Sequence, residues 1–385
     1  MMVMAVREGQ SLRQVAARFG VSLCTVQRWL DRAGHQCLSD VDLADRPGGC
    51  PCPANRTAKA VEDRILELRR DLRDDSPLGE YGAAAIQRTL MADGGSEVPS
   101  LRTIGRILER RGALDGRQRV RRPAPPKGWY LPGVAAGKAE LDSFDIVEGL
   151  VIRGGIDVEV LNAVSLHGGL CQSWPDSVIT TKIAVKRLLE HWRQVGLPCY
   201  AQFDNDTVFH GPHHWPDCFG RVTRLCLSLG VIPVFTPPRE TGFQAMIENY
   251  NGRWQAKVWS RFEHAGLRGL QARSQAYVRA AWQRAAGRIE AAPNRRRLPS
   301  RWRFDPRAAL DGLVVYLRRS TATGEVAVLG HRYRVSKFWL NRLVRVEVNL
   351  TAGRMQFFSL RRRDPSCQQL LATLDYQIPK GPLHD

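Results

Sequence analysis

The sequence predicts a multidomain chain: N-terminal all-α helix-turn-helix units, a central α/β core and a small C-terminal β-barrel. Three patterns carry that expectation. Capped segments with helical periodicity fill residues 11–110. Alternation of apolar and polar residues begins at Glu140, interleaved with further helical periods. Beyond residue 310, short apolar runs recur between Gly324, Gly330 and Gly353. A chain of 385 residues with 43% hydrophobic and 25% charged side chains buries real cores and is expected to form two to four domains. Its boundaries are expected at 1–45 and 56–115 (helix-turn-helix units), 116–135 (basic linker), 136–270 (core), 271–310 (helical, basic connector) and 311–365 (barrel).

Charge and composition narrow the partner. The formal net charge is +19, which makes an anionic polymer the first candidate. The excess is uneven: residues 101–139 carry +8 and 271–385 carry +14, whereas 1–100 carry −1 and 140–270 carry −2. Basic flanks suit phosphate neutralisation, and a middle with clustered acids suits divalent metal. No window approaches about 18 uninterrupted apolar residues and Met1 to Gly9 lacks a hydrophobic signal core, so a membrane or secreted protein is not expected. Nine scattered cysteines read as reduced cytosolic thiols. The expected location is the cytoplasm, in association with the nucleoid.

The N-terminal elements derive from caps. Ser11 and Gln14 form a capping box ahead of Leu12, Val15, Ala16 and Phe19. Gly20 breaks that helix and Ser22 starts the next, which runs to about Asp31 and presents Ser22, Gln27 and Arg28 to a DNA major groove. In the second unit Ser100 opens a helix with Ile104, Ile107 and Leu108 inward and Arg102, Arg106 and Arg110 outward. Arg119, Arg121 and Arg122 lie in a stiff, proline-rich basic linker suited to a DNA backbone or minor groove. His35, Cys37, Cys50 and Cys52 invite a zinc reading, but the Cys-x-Cys gap is tighter than that of ordinary zinc knuckles. The His210, His213, His214 and Cys218 group has no zinc spacing either.

In the middle region, strands are expected at Leu141–Val147, Val158–Leu166 and Gly169–Trp174, then a helix at Thr181–Val195. A short buried strand ends on Asp204, a helix runs from about Asp217 to Leu229, and a strand covers Val231–Phe235. A long helix, Phe243 to about Phe262, carries Glu248. This order, with the stretches ELDSFD (140–145), QFDNDTVF (202–209) and PPRETGFQAMIENYNGRW (237–254), resembles the catalytic core of bacterial insertion-sequence transposases and retroviral integrases, an RNase H-like fold. The resemblance implies a catalytic and metal-binding triad of Asp142, Asp204 and Glu248. Asp145 lies on the opposite face of its strand from Asp142, so only one of the two can enter the site, and the resemblance selects Asp142. The spacing of 43 residues between Asp204 and Glu248 is longer than usual, and Asp206 stands where glycine is common.

The implied chemistry explains the residue types. Two Mg²⁺ (or Mn²⁺) ions can activate water and stabilise a leaving oxygen in phosphodiester cleavage, and carboxylates are their natural ligands. The resemblance implies binding of double-stranded DNA at terminal inverted repeats, hydrolysis at each element end, strand transfer to target DNA without a covalent protein–DNA intermediate, and a homodimer or higher multimer. Asn251 and Gln255 share the Glu248 face and are candidate DNA contacts, as is Arg239 in the preceding loop. Trp254 and Trp259 read as core. In the C-terminal segment, Arg332, Arg334 and Arg345 are expected on a DNA-binding surface, with Arg361, Arg362 and Arg363 nearby in sequence. The alternatives are a catalytically inactive, sequence-specific DNA-binding regulator of the same fold, and a tyrosine recombinase, for which no Tyr amid Arg and His is found.

Overall fold

The computed structural model describes residues 1–42, 44, 57–94, 98–114, 127–212, 214–240, 242–362 and 364–379. The chain divides into two compact units, residues 1–59 and 60–385. Arg119, Arg121, Arg122, Cys50, Cys52, His213 and Arg363 lie outside the described residues.

The first unit holds three helices, α1 (Met2–Arg7), α2 (Leu12–Phe19) and α3 (Leu23–Ala33). Both halves of the expected capping box are present at α2, and Gly20 ends it at φ +63°, a left-handed conformation that glycine adopts without cost. Ser22 caps α3 by accepting the Thr25 backbone N–H. Ala5, Val15, Ala16 and Val26 make the small core. Helix α1 carries no cap signal in the sequence; Arg7 pins it by donating to the carbonyls of Gly34 (2.8 Å) and Gln36 (3.0 Å).

The second unit begins with α4 (Lys59–Asp75), α5 (Ala83–Ala92) and α6 (Leu101–Arg110), packed around Ile65, Ile86, Ile104 and Ile107. Arg110 is exposed, as expected, and bonds the buried Glu62 from α6, together with Arg111. This three-helix body is docked on the segment 257–261. Arg261 donates to the carbonyls of Ser76 (2.6 Å), Arg73 (2.7 Å) and Asp74 (2.9 Å), and Lys257 to Gly79 (3.0 Å). A cation at the C-terminal end of α4 meets the negative pole of that helix.

After the short α7 (Pro132–Ala135) comes the core: β1 (Leu141–Ile152), β2 (Ile156–Ser165), β3 (Cys171–Asp176), α8 (Thr181–Val195), β4 (Tyr200–Phe203), α9 (Thr207–His210), α10 (Arg221–Ser228), β5 (Ile232–Phe235) and α11 (Ala245–Trp254). Helix α11 does not run to Phe262 as an α-helix. It passes into a π-helical turn, Gln255–Trp259, before α12 (Leu267–Glu290). Strands β1 to β3 form an antiparallel meander, and β4 and β5 lie parallel to β1 on its other side. The lateral order of these strands is β3-β2-β1-β4-β5.

The C-terminal strands differ from expectation. They are β6 (Leu313–Arg319), β7 (Glu325–Val328), β8 (His331–Arg334), β9 (Leu343–Asn349), β10 (Arg354–Ser359) and β11 (Leu370–Asp375). Among the described residues they do not close into a separate barrel. Val315 and Tyr316 of β6 pair in parallel with Val234 and Phe235 of β5, so β6, β9, β10 and β11 extend the core into one nine-stranded mixed sheet. Only β7 and β8 stand apart, as a hairpin. The joined sheet makes one continuous core: Phe144, Trp192, Phe203 and Leu225 belong to the same apolar cluster as Val344, Val346 and Phe357. This face is covered by α8 and α10; the opposite face is covered by α11 and α12 through Ile247, Tyr250, Trp254 and Leu270.

Candidate catalytic carboxylate site

Strand parity decides which acids meet. On β1, Asp142 shares a face with Phe144, which packs beside Trp192 of α8. Asp145 shares the other face with Ser143 and Val147, the face covered by α11. Ser143 pairs with Gln202 of β4 and donates to its side chain (2.9 Å). Two residues further along the parallel pair stand Asp145 and Asp204.

The structure therefore corrects the expectation for Asp142. That residue is fully buried, and both of its oxygens accept from Arg295, with Trp192 Nε1 donating to Oδ2 at 3.1 Å. The buried His191 ring stands 3.8 Å from the same carboxylate, and burial pulls its pKa down to about 4, so it is neutral at pH 7. Asp142 thus belongs to a structural ion pair on the face away from Glu248.

Asp145 lies on the other face, the one covered by α11. Burial first, then the charge of Asp204 and further that of Glu248, push its pKa up to about 7; a hydrogen bond from Asn251 opposes the rise. Asn251 Nδ2 donates to Asp145 Oδ2 at 2.7 Å, and Asn162 Nδ2 donates to Asn251 Oδ1 at 2.9 Å. Asn251 is buried in that relay, which removes it from the candidate DNA contacts. Asp204 is half-buried and its pKa is also raised, by burial and by Asp206 and Glu148, against the backbone N–H of Asp206, which donates to Oδ1 at 3.0 Å. Asp206 itself caps α9 through Val208 N–H. Glu148 lies at a bulge of β1, where the register shifts between Val147 and Leu150. Glu248 is exposed in the first turn of α11.

The loop after Asp204 is fixed from β6. Asn205 donates to the Thr236 carbonyl (2.7 Å) and accepts from Arg318 Nη2 (2.9 Å). Burial lowers the Arg318 pKa to about 10, and its guanidinium lies over the Tyr316 ring.

Carboxylates that offer only oxygen donors, two of which raise the proton affinity of the third, Asp145, are chemically suited to a hard divalent cation. In this structure they are not gathered to ligating distance: among the described residues no group of three or more His, Cys, Asp or Glu is arranged to hold a metal ion.

The remaining candidates divide. Gln27, Arg28, Arg102, Arg106, Arg239, Arg332 and Arg334 are exposed. Arg239 sits at φ +59° in the turn before α11. Gln255 is half-buried at the start of the π-helical turn. The Ser22 hydroxyl is occupied in capping α3 and contacts Thr25 Oγ1 at 2.8 Å. Arg345 is a correction: it is buried, bonds Gln368 (2.9 Å) and Glu347, and lies over the Phe358 ring. His210 is buried against Phe235 and Tyr316. No helix of the described residues is long and apolar enough to cross a membrane.

Comparison with known proteins gives two findings. Residues 1–39 match the family of homeodomain-like domains. Solved structures similar to this chain include the catalytic core domain of BIV integrase (16% identity over 36% of this chain and 80% of that one, TM-score 0.27). They also include the HTLV-2 integrase catalytic core domain in complex with magnesium (14% identity, 37% and 83%, TM-score 0.27). A simian T-cell lymphotropic virus intasome in complex with PP2A regulatory subunit B56 gamma is similar over 73% of this chain and 92% of that one, at 15% identity and TM-score 0.33. The chain thus opens with a segment that matches homeodomain-like domains.

Proposed function

We propose that this protein is a DNA transposase whose catalytic carboxylates are Asp145, Asp204 and Glu248. One observation carries the reading: these three acids come from two adjacent parallel strands and the helix over them, and the charges of Asp204 and Glu248 add to burial in raising the Asp145 pKa. Acids destined only for solvent do not hold a neighbour half-buried at a pKa of about 7.

The three carboxylates would hold two Mg²⁺ or Mn²⁺ ions, which when bound supply an activated water and stabilise the leaving oxygen of a phosphodiester. The chain's own residues do the positioning. Asn251 orients Asp145, the Asp206 N–H orients Asp204, and Arg318 with Asn205 steadies the turn between β4 and α9. Arg239, exposed in the loop before α11, would take a phosphate of the strand being cut. Terminal repeats of the element would be read by Gln27 and Arg28 on α3 and by Arg102 and Arg106 on α6, with the basic linker at Arg119, Arg121 and Arg122 along the backbone. Gln255 and the exposed Arg332 and Arg334 extend the DNA surface. A homodimer or higher multimer would join two ends, in the bacterial cytoplasm and nucleoid.

That no three acids among the described residues are arranged to hold a metal ion favours one other reading, a DNA-binding regulator that keeps the fold and does not cut. The test is incubation of the full chain with DNA bearing the repeats that bracket its gene, with and without Mg²⁺ or Mn²⁺. Cation-dependent nicks at the repeat ends, lost in Asp145→Asn but with binding retained, support the transposase. Tight, specific binding without nicking in either cation supports the regulator.

A further inference from the structure

Phe338 is 79% exposed, more than any large apolar side chain of the described residues except Met1. A single exposed aromatic needs no explanation in itself. This one stands on a rigid support. The segment joining β8 to β9 is anchored by the buried Trp339, whose Nε1 donates to the Leu343 carbonyl at 2.9 Å. Ser320 Oγ donates to the Trp339 carbonyl (2.6 Å) and accepts from Arg342 N–H (3.1 Å). The Phe338 N–H donates to Ser336 Oγ at 3.2 Å. Beneath it, Gly324 lies at φ +77°, where an added Cβ would stand 1.9 Å from the Ser336 carbonyl oxygen. Only glycine lets the segment sit there, so the ring is displayed on a fixed platform rather than on a loose tip.

Its surroundings are cationic. Residues 331–342 contain Arg332, Arg334, Lys337 and Arg342 and no acid. The Lys337 ammonium lies 5.1 Å from the Phe338 ring centre, and the exposed Arg342 and Arg361 lie over Trp339 at 4.8 and 5.2 Å. The platform also leaves the sheet on the catalytic edge. Strands β4, β5 and β6 run parallel, and β9 starts at Leu343 opposite Arg319, the last residue of β6. Asp204, the turn carrying Arg239 and the Phe338 segment therefore lie beyond neighbouring strand ends at one edge. Arg319 ties them, bonding Glu240 on one side and the Asn341 carbonyl on the other.

We propose that Phe338 inserts against the face of a nucleobase in DNA lying across this edge, with Lys337, Arg342 and Arg361 on the flanking phosphates. The inference rests on the DNA-processing reading above. Every base has an apolar π-face, so such a contact is tolerant of sequence, and partial unstacking of a step is offset by the phosphate contacts that it permits. A polyanion with exposed or exposable rings fits both halves of the surface; an acidic protein would match only the charge.

The test uses the full chain and duplexes carrying 2-aminopurine at one position at a time across the bound footprint, with anisotropy reporting binding. Wild type should raise fluorescence severalfold at one or two positions. Phe338→Ala should lose that rise while affinity falls by no more than about tenfold, and Phe338→Trp should restore it. If a mismatch at the responsive position rescues the alanine variant, the base comes from a wedged duplex step; if only a single-stranded overhang gives a signal, it is an unpaired base. A wild-type rise that persists in Phe338→Ala overturns the inference, as does binding with no responsive position. So does an alanine variant that changes the sedimenting species without altering fluorescence, since the ring would then serve contact with a second copy. Absence of any anisotropy change in wild type would overturn the DNA reading itself.

Discussion

Asp142 and Arg295 form a bidentate ion pair in which the carboxylate is wholly buried and the guanidinium nearly so. The pair joins the start of β1 to the segment after α12, and it has a testable consequence. Asp142→Asn leaves a buried cation uncompensated, so stability should fall by about 3–5 kcal/mol. Asp145→Asn, Asp204→Asn and Glu248→Gln should abolish cleavage with folding and end binding intact. Thermal melts and nicking assays on the four variants separate the classes. A folded Asp142→Asn protein without cleavage, alongside an active Asp145→Asn, would put Asp142 in the triad in place of Asp145.

Asp145 links pH to stability in an unusual direction. Its folded pKa of about 7 lies above the ordinary carboxylate value, so between about pH 4 and pH 7 the folded chain holds a proton that the unfolded chain has released. Its contribution to stability is therefore present in acid and lost as pH rises through 7. The size is on the order of 1–3 kcal/mol after allowance for partial exposure. Without divalent cation, the melting temperature should fall from pH 5 to pH 8 relative to Asp145→Asn, which lacks the titration. Added Mg²⁺ should recover the loss at pH 8 and do little at pH 5. A pH-independent difference between the two proteins would remove Asp145 from the charge cluster.

Asn251 offers a finer probe. Its hydrogen bond favours the charged form of Asp145, so Asn251→Ala should raise the Asp145 pKa further. The acidic limb of the cleavage profile should move to higher pH, an effect that simple loss of packing would not produce. Unfolding measured in parallel should cost about 1–3 kcal/mol, because Asn162 loses its acceptor in a buried site.

Arg318 tests whether the sheet extension serves the site. Its fork bridges Asn205 and the Thr236 carbonyl from β6. Arg318→Lys keeps the charge and loses the planar two-point contact. Cleavage should drop at least about tenfold, while the melting temperature moves by only a few degrees. Equal activity in the lysine variant would mean that the Asp204 turn holds itself.

Much of this architecture is legible in the sequence, for identifiable reasons. Caps at Ser11, Ser22 and Ser100 mark helix starts locally, so the helical units can be read directly. Alternation along β1 correctly puts Asp142 and Asp145 on opposite faces. What it cannot say is which face a helix a hundred residues away will cover, and the choice between the two acids turns on that. The useful signal is Gln202, a polar residue between apolar Ala201 and Phe203, since Asp204 must share its face. Arg345 alternates with Val344 and Val346 and so reads as exposed; Gln368 and Phe358 cover that side. The barrel expectation fails similarly, because the join of β6 to β5 rests on two paired residues far apart in sequence.

The N-terminal unit yields a last prediction, on a residue with two conflicting duties. Ser22 is a candidate DNA contact by sequence, yet its hydroxyl accepts the Thr25 N–H and starts α3. Capping tolerates Asp as well as Ser, whereas a phosphate contact does not tolerate added negative charge. Ser22→Ala should cost about 1 kcal/mol of stability in this unit. Ser22→Asp should keep the cap and weaken binding only if the hydroxyl lies against the backbone of DNA. Arg28 has no such duty: it is exposed on α3, and Arg28→Ala should leave the melt unchanged. If Arg28 meets a phosphate, that variant reduces the slope of log affinity against log salt by about one, uniformly across sequences. If it reads a base edge, affinity for the repeat falls and affinity for random DNA does not. Titrations at several salt concentrations with Ser22→Ala, Ser22→Asp and Arg28→Ala thus distinguish a residue that builds the recognition helix from one that uses it.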